Sequence, residues 1–186
     1  MHQQKTRHAL IIVTVILIMI VTGFTGGLIN GSFKKSYINS LVANFTVVAS
    51  QYVDKIEYAL KYGKPLNNFH GLFEMLQEAK EESEGLDNIR IIARDGIILC
   101  DLSQKEIGEK LLQPLLSHNN FRDGGGEETG SYFLFENNYH VFIPIYDRQD
   151  KWVGSMEIIF NESKVDSYTN LFFHRIIWYS LLLSLL

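Results

Sequence analysis

The sequence predicts an α+β domain, an antiparallel sheet of about five strands behind one long N-terminal helix, set between two membrane-spanning helices. Three observations predict it. An uncharged apolar run opens the chain, a helical stripe of large apolar residues follows it, and the second half alternates short β-rich stretches with polar turns.

Ala9 to Ile29 carries no charge and is dominated by Leu, Ile and Val. At about 21 residues it is long enough to cross a hydrocarbon layer of about 30 Å as a helix. Lys5 and Arg7 would also suit the basic start of a cleaved signal peptide. No small-x-small cleavage site follows, so an uncleaved anchor is expected, with the short tail 1–8 in the cytoplasm.

Phe33, Tyr37, Leu41, Phe45, Val48, Tyr52, Ile56, Ala59 and Tyr62 then recur every three or four residues, which keeps them on one helical stripe. Gly63-Lys64-Pro65 ends that helix. Phe33 to Val48 is too apolar to stay exposed, so this part is expected to face a second copy in a parallel homodimer. Phe69, Leu72, Phe73, Leu76 and Ala79 predict a shorter amphipathic helix, closed by the charged run Lys80–Glu84 and by Gly85.

The pattern next changes to strands. Ile89–Ala93 and Ile97–Leu99 flank Asp95-Gly96, a strong hairpin signal. Ile107–Leu116 reads as a helix, and Phe121–Gly130, with Gly124-Gly125-Gly126, as a loop. Ser131–Glu136, His140–Tyr146 and Trp152–Phe160 are predicted strands, joined by turns at Asn137-Asn138 and Asp147–Lys151. From Glu162 the pattern is helical again. Ile176–Leu186 is apolar, with Trp178 and Tyr179 suited to a membrane interface, but is too short to span, so a second transmembrane helix is expected to be cut off there. The expected division is therefore 1–8 cytoplasmic tail, 9–29 transmembrane helix, 30–170 folded domain, and 171–186 the start of a second transmembrane helix.

Composition narrows the function classes. Between Asn30 and His174, 14 Lys or Arg stand against 21 Asp or Glu, a net charge of −7. Such a domain does not bind nucleic acid through its backbone phosphates. One cysteine, Cys100, excludes an internal disulfide and a cysteine zinc site, and its simplest role is as a small strand residue. The six histidines include no i, i+4 pair for a helical zinc site. The triple glycine lacks a following Lys-Ser or Lys-Thr, Glu127-Glu128 reads as a loop tip, and Ser103 lacks a nucleophile-elbow context. No enzyme activity and no cofactor are expected of this chain. Gly23-x-x-x-Gly27 in the first apolar run would let two membrane helices approach closely, although glycines are common in such helices.

Two stretches carry a family resemblance. IRIIARDGIILCDLSQKEIGEKL, from Ile89 to Leu111, resembles the first hairpin of an extracytoplasmic Cache domain, a PAS-like sensor fold: strand, DG turn, strand, then an IGxxL helix entry. YHVFIPIYDRQDKWVGSMEIIF, from Tyr139 to Phe160, resembles the last hairpin of that family. The resemblance implies a PAS-like antiparallel sheet and the role of a ligand-sensing input module in a bacterial transmembrane receptor, such as a sensor histidine kinase or chemoreceptor, at the inner membrane with the sensor outside the cytoplasm. No kinase, cyclic-dinucleotide or receptor-hairpin motif stands in this chain. A membrane-tethered binding or assembly module without its own output is the competing reading, and the coding sequence after Leu186 separates the two.

A ligand pocket needs apolar walls and a few convergent polar groups. The candidates are Arg90 and Arg94 on the first strand, Asp101 after the second, with Ser103 beside it, Tyr132 on the third, and His140 and Tyr146 on the fourth. Alternation puts Arg90, Ile92 and Arg94 on one face, and the even spacing of His140 and Tyr146 puts those two on one face. The plain alternative is that the arginines face solvent and the aromatics are core. An inward arginine would suit a small carboxylate, whose two oxygens match its donors. The expected partners are thus a small ligand of that class, the membrane and a second copy of the chain, with no bound metal.

Overall fold

The computed structural model describes residues 2–118 and 132–184. The predicted loop Phe121–Gly130, its glycines and Glu127-Glu128 lie outside the described residues, as does Ser131. The chain divides into two compact units, Met1–Ile38 with Val165–Leu186, and Asn39–Lys164.

The first unit joins parts of two helices. Helix α1 (His2–Lys61) is continuous through the apolar run and the stripe, and helix α4 (Glu162–Ser184) ends the described chain. Phe33 stacks on Phe172 at 4.3 Å between ring centroids, Tyr37 lies 6.1 Å from Tyr168, and Lys34 Nζ pairs with Asp166 at 2.6 Å. Ile38, Val165 and Thr169 are buried. Among the described residues no helix is long and apolar enough to cross a membrane. The run 9–29 contributes only Val13, Thr14, Ile16, Leu17, Ile20, Val21 and Gly23 to the described side chains.

The second unit is built on five antiparallel strands in the order β2-β1-β5-β4-β3. They are β1 (Asn88–Ala93), β2 (Ile98–Asp101), β3 (Tyr132–Phe135), β4 (Asn138–Tyr146) and β5 (Trp152–Asn161). The turns obey local chemistry. Gly96 takes the left-handed conformation that closes β1–β2, and Asp95 Oδ1 accepts the Ile97 N–H at 3.2 Å. The β3–β4 turn sits one residue earlier than predicted, with Glu136 and Asn137 both at positive φ, because Asn138 is already paired with Phe135. Asp147 Oδ1 accepts the Gln149 and Lys151 N–H groups and closes β4–β5.

One predicted helix is corrected. Residues 107–112 are not helical, and helix α3 spans only Gln113–His118. Gly108, at φ 86°, breaks a right-handed helix, and the segment bonds to the hairpin instead. Gly108 N–H donates to the Ile98 carbonyl at 2.8 Å, Ile98 N–H to that of Glu109 at 2.9 Å, and Leu111 N–H to that of Gly96 at 2.8 Å. The helix starts where Pro114 is tolerated, in its first turn.

Strand register sorts the side chains into two faces. On one, the cross-strand rows Ile89–Ile158–Val141 and Ile91–Met156–Ile143 are wholly apolar. The same face carries Phe160, which Phe45 of α1 meets edge-on at 5.3 Å. Val42, Ala49, Tyr52, Val53 and Ile56 of α1 are buried with it, and helix α2 (Leu72–Glu81) adds Leu72, Leu76 and Ala79. Of the expected dimer face Phe33, Tyr37, Leu41, Phe45 and Val48, only Phe45 is buried, and the rest are half-buried. Phe45 is 1% exposed inside its own domain, and Phe33 and Tyr37 are engaged by α4. A stripe wide enough to read as an interface is partly used at home.

The opposite face carries Ile92, Ile98 and Phe142, which form a second small core with Leu111 and Leu115. Phe133 and Phe135 pack against it. Gly154 fits the sheet by necessity, since a Cβ there would meet the Ile92 carbonyl oxygen at 2.4 Å.

Candidate ligand site

The second face of the sheet also holds the buried charges. Register explains how they meet. Arg90 on β1 lies directly opposite Glu157 on β5, and Glu157 lies opposite Phe142 on β4. His140, two residues before Phe142, is therefore the diagonal neighbour of Glu157, within reach of a long side chain. Arg90 Nε pairs with Glu157 Oε2 at 2.9 Å, and His140 Nδ1–H donates to Glu157 Oε1 at 2.7 Å. Glu157 is fully buried, His140 4% and Arg90 7% exposed. Burying an unpaired charge costs several kcal/mol, which is why these three come as a set. Arg90 has a second carboxylate partner. Its Nη1 pairs with Glu106, which stands half-exposed in the segment after β2.

Arg90, His140 and Glu106, but not Glu157, line a cavity of about 330 Å³. Ile98, Leu111, Leu115, Phe135 and Ile159 supply apolar wall, while Asn88, Asn138, Glu109, Lys110 and Glu136 join Arg90, His140 and Glu106 as its polar lining. More of its lining is polar than apolar, and the convergence of polar groups around Arg90 is the feature it shares with small-molecule sites. Among the described residues no group of His, Cys, Asp or Glu could hold a metal ion.

The six predicted residues do not all meet. Arg90 and His140 line this cavity as expected. Arg94 does not. β1 ends at Ala93, so alternation stops there. The Arg94 Nη1 donates to the Trp152 carbonyl at 3.3 Å, and the guanidinium lies 5.6 Å from that residue's ring. Tyr132 is on the other face, because it pairs with Val141. Its ring meets Tyr139 edge-on at 5.7 Å, and Tyr139 stacks on Phe160. Tyr146 does not follow His140 either. The register shifts between Ile145 and Tyr146, and the Tyr146 N–H donates to Glu57 Oε1 of α1 at 2.8 Å. Burial raises the Glu57 carboxyl above its ordinary value, and the Tyr146 N–H only partly opposes this.

Asp101 is opposite Arg90 yet serves the backbone. It accepts from Asn88 Nδ2 at 2.6 Å, from the Ser103 hydroxyl, and from the N–H groups of Ser103, Lys105 and Glu106. Burial alone would raise this carboxyl, but the accepted hydrogen bonds outweigh it and hold the pKa below the ordinary value. Asp101 and Ser103 thus anchor the turn that carries Glu106, and neither lines this cavity. Cys100 is pushed up to about 11 by burial and by Asp101, so it stays a thiol.

Two residues of the cluster escaped the sequence reading. Glu157 had a signal, being the one charge within Trp152–Phe160. Glu106 had none, as one polar residue among several in a turn.

This arrangement, a five-stranded antiparallel sheet with a long helix on one face and a polar hollow on the other, is a PAS-like fold, similar to that of two solved structures. An extracellular ligand binding receptor from Desulfohalobium retbaense superposes with a TM-score of 0.52 over 73% of this chain, at 11% identity. This chain spans 25% of that receptor's length. The sensor domain of Escherichia coli DcuS superposes with the same TM-score over 72% of this chain and 97% of its own, at 19% identity. No protein-family model matches the chain, and no curated protein matches it.

Proposed function

We propose that the chain is the ligand-sensing input module of a transmembrane signal-transduction receptor. The buried Arg90–Glu157–His140 cluster, two of whose members line a hollow with both polar and apolar walls, is the observation that carries this reading. Three buried polar side chains are a costly way to fill a small core, and the sensor fold supplies a reason to bear that cost. In this reading the apolar run 9–29 anchors the chain in the inner membrane, and residues 30–170 stand outside the cytoplasm, where the ligand is met. The ligand is a small molecule with a carboxylate directed at Arg90. Two copies associate along the side of α1 that its own sheet leaves free, where Val47 and Tyr58 are exposed.

The test is thermal unfolding of the full chain in detergent with a panel of small carboxylates. A ligand that binds only the folded state raises the midpoint by mass action. The expected result is a rise with at least one carboxylate, lost when Arg90→Met and Glu157→Leu are combined. That pair removes both buried charges together and leaves only the His140 Nδ1–H without its acceptor. No rise across the panel, or a rise the double variant keeps, would refute the site.

A further inference from the structure

We propose that Glu106 is a built-in occupant of the ligand's carboxylate seat, and that the ligand is a monocarboxylate with an apolar body which displaces it from Arg90. This rests on the reading of the cavity as a carboxylate site and names what that site selects.

The two carboxylates on Arg90 differ in kind. Glu157 is fully buried on the inner strand β5 and is held again by His140. Glu106 is on a turn outside the sheet, with its side chain 48% exposed, and lines the cavity. One is a fixture of the sheet; the other reaches Arg90 from solvent. The backbone under Glu106 is pinned from both sides, by Asp101 at residues 103, 105 and 106 and by Ile98 and Gly96 at residues 108 to 111. Rotation of one side chain therefore opens the seat without unfolding the turn.

Charge decides what enters. A carboxylate that replaces Glu106 leaves the charge around Arg90 unchanged. One that binds beside Glu106 would be a third carboxylate on a single guanidinium. Glu106 also shows that a carboxylate on a flexible stem fits the seat, where Arg donors match two oxygens. Beyond it, Leu111, Leu115, Phe135 and Ile159 suit an apolar body, while Glu109 and Glu136 oppose a second negative charge, which Lys110 only partly offsets. The chemistry recognised is one carboxylate and a short apolar tail, in preference to a dicarboxylate.

Titration of the full chain with the straight-chain carboxylates from acetate to hexanoate, and with succinate, tests this on three proteins: wild type, Glu106→Gln and Glu78→Gln. Glu106→Gln should bind hexanoate at least about tenfold more tightly than wild type, because its competitor has lost its charge. Glu78→Gln, on the exposed side of α2 and away from the cavity, should differ from wild type by less than about threefold. Affinity should rise with chain length, and succinate should bind more weakly than butyrate. If wild type and Glu106→Gln bind equally, the exchange is refuted while the carboxylate site stands. If no protein binds any of these carboxylates, the site itself fails and the exchange with it.

Discussion

The two faces of the sheet are made by alternate residues of the same strands, yet they follow opposite rules. Against α1, the rows Ile89–Ile158–Val141 and Ile91–Met156–Ile143 are apolar throughout. One residue along, the rows become Asn88–Ile159–His140, Arg90–Glu157–Phe142 and Ile92–Ser155–Pro144, each with at least one polar member. Backbone hydrogen bonding is common to both, so the difference belongs to the side chains alone. The first face stabilises the domain by removing apolar area from water. The second carries paired charges that a hydrophobic replacement would match or better in stability. Under the proposed function, that face serves binding rather than folding.

The largest expected effect breaks the second face. Glu157→Leu alone leaves Arg90 with only the half-exposed Glu106 and the His140 Nδ1–H with no acceptor, and should cost about 3 kcal/mol in chemical denaturation. Arg90→Met with Glu157→Leu should recover most of that loss. Phe160→Ala, on the first face, should also cost about 3–5 kcal/mol, with no second change to rescue it. A double variant as unstable as the single one would mean that the buried pair is structural after all.

Gly154→Ala comes next. Its Cβ would press on the Ile92 carbonyl and on Leu66, and backbone cannot yield as a side chain does. The expected loss is about 1–3 kcal/mol, measured as a lower denaturation midpoint.

Acid should separate the faces by a smaller amount. The folded-state pKa of Asp101 lies below its unfolded value of about 3.9, so its contribution is present above that pH and is lost as pH falls through the folded pKa. Amide exchange at Ser103, Lys105 and Glu106, corrected for intrinsic rate, should quicken there before that of Ile91 or Ile158. Asp101→Asn should remove this pH dependence. Uniform exchange across both faces would contradict the assigned role.

The smallest effect on stability is expected at α1. Val47→Cys should crosslink between copies more readily than Phe45→Cys, because Val47 is 61% exposed and Phe45 is spent on Phe160. Equal crosslinking would remove the proposed pairing side.

Much of this comparison is readable from spacing. Alternation correctly places Ile89 and Ile91 opposite Arg90 and Ile92, whereas it is the pairing of β1 and β4 with β5 that brings Arg90 and His140 to one face. Alternation fails where strands stop or slip. Arg94 lies past the end of β1, and the irregularity before Tyr146 turns an even spacing into a false companion for His140. Tyr132 fails for a different reason: which face a strand shows is set by its pairing with Val141, a long-range fact that its own residues do not carry. The segment after β2 looked helical because Ile107, Leu111 and Leu115 are helically spaced, and the left-handed Gly108 overruled that pattern. Glu106 reaches Arg90 only because Asp101 gathers the turn, which no periodicity encodes.

The most direct test of the central claim, that one face folds and the other binds, is a methyl NMR titration of the full chain with hexanoate. The account predicts shifts at Ile98, Leu111, Leu115 and Ile159, with Ile91, Val141 and Ile158 on the α1 face unmoved. Shifts on the α1 face alone, or on neither face at saturating hexanoate, would contradict it.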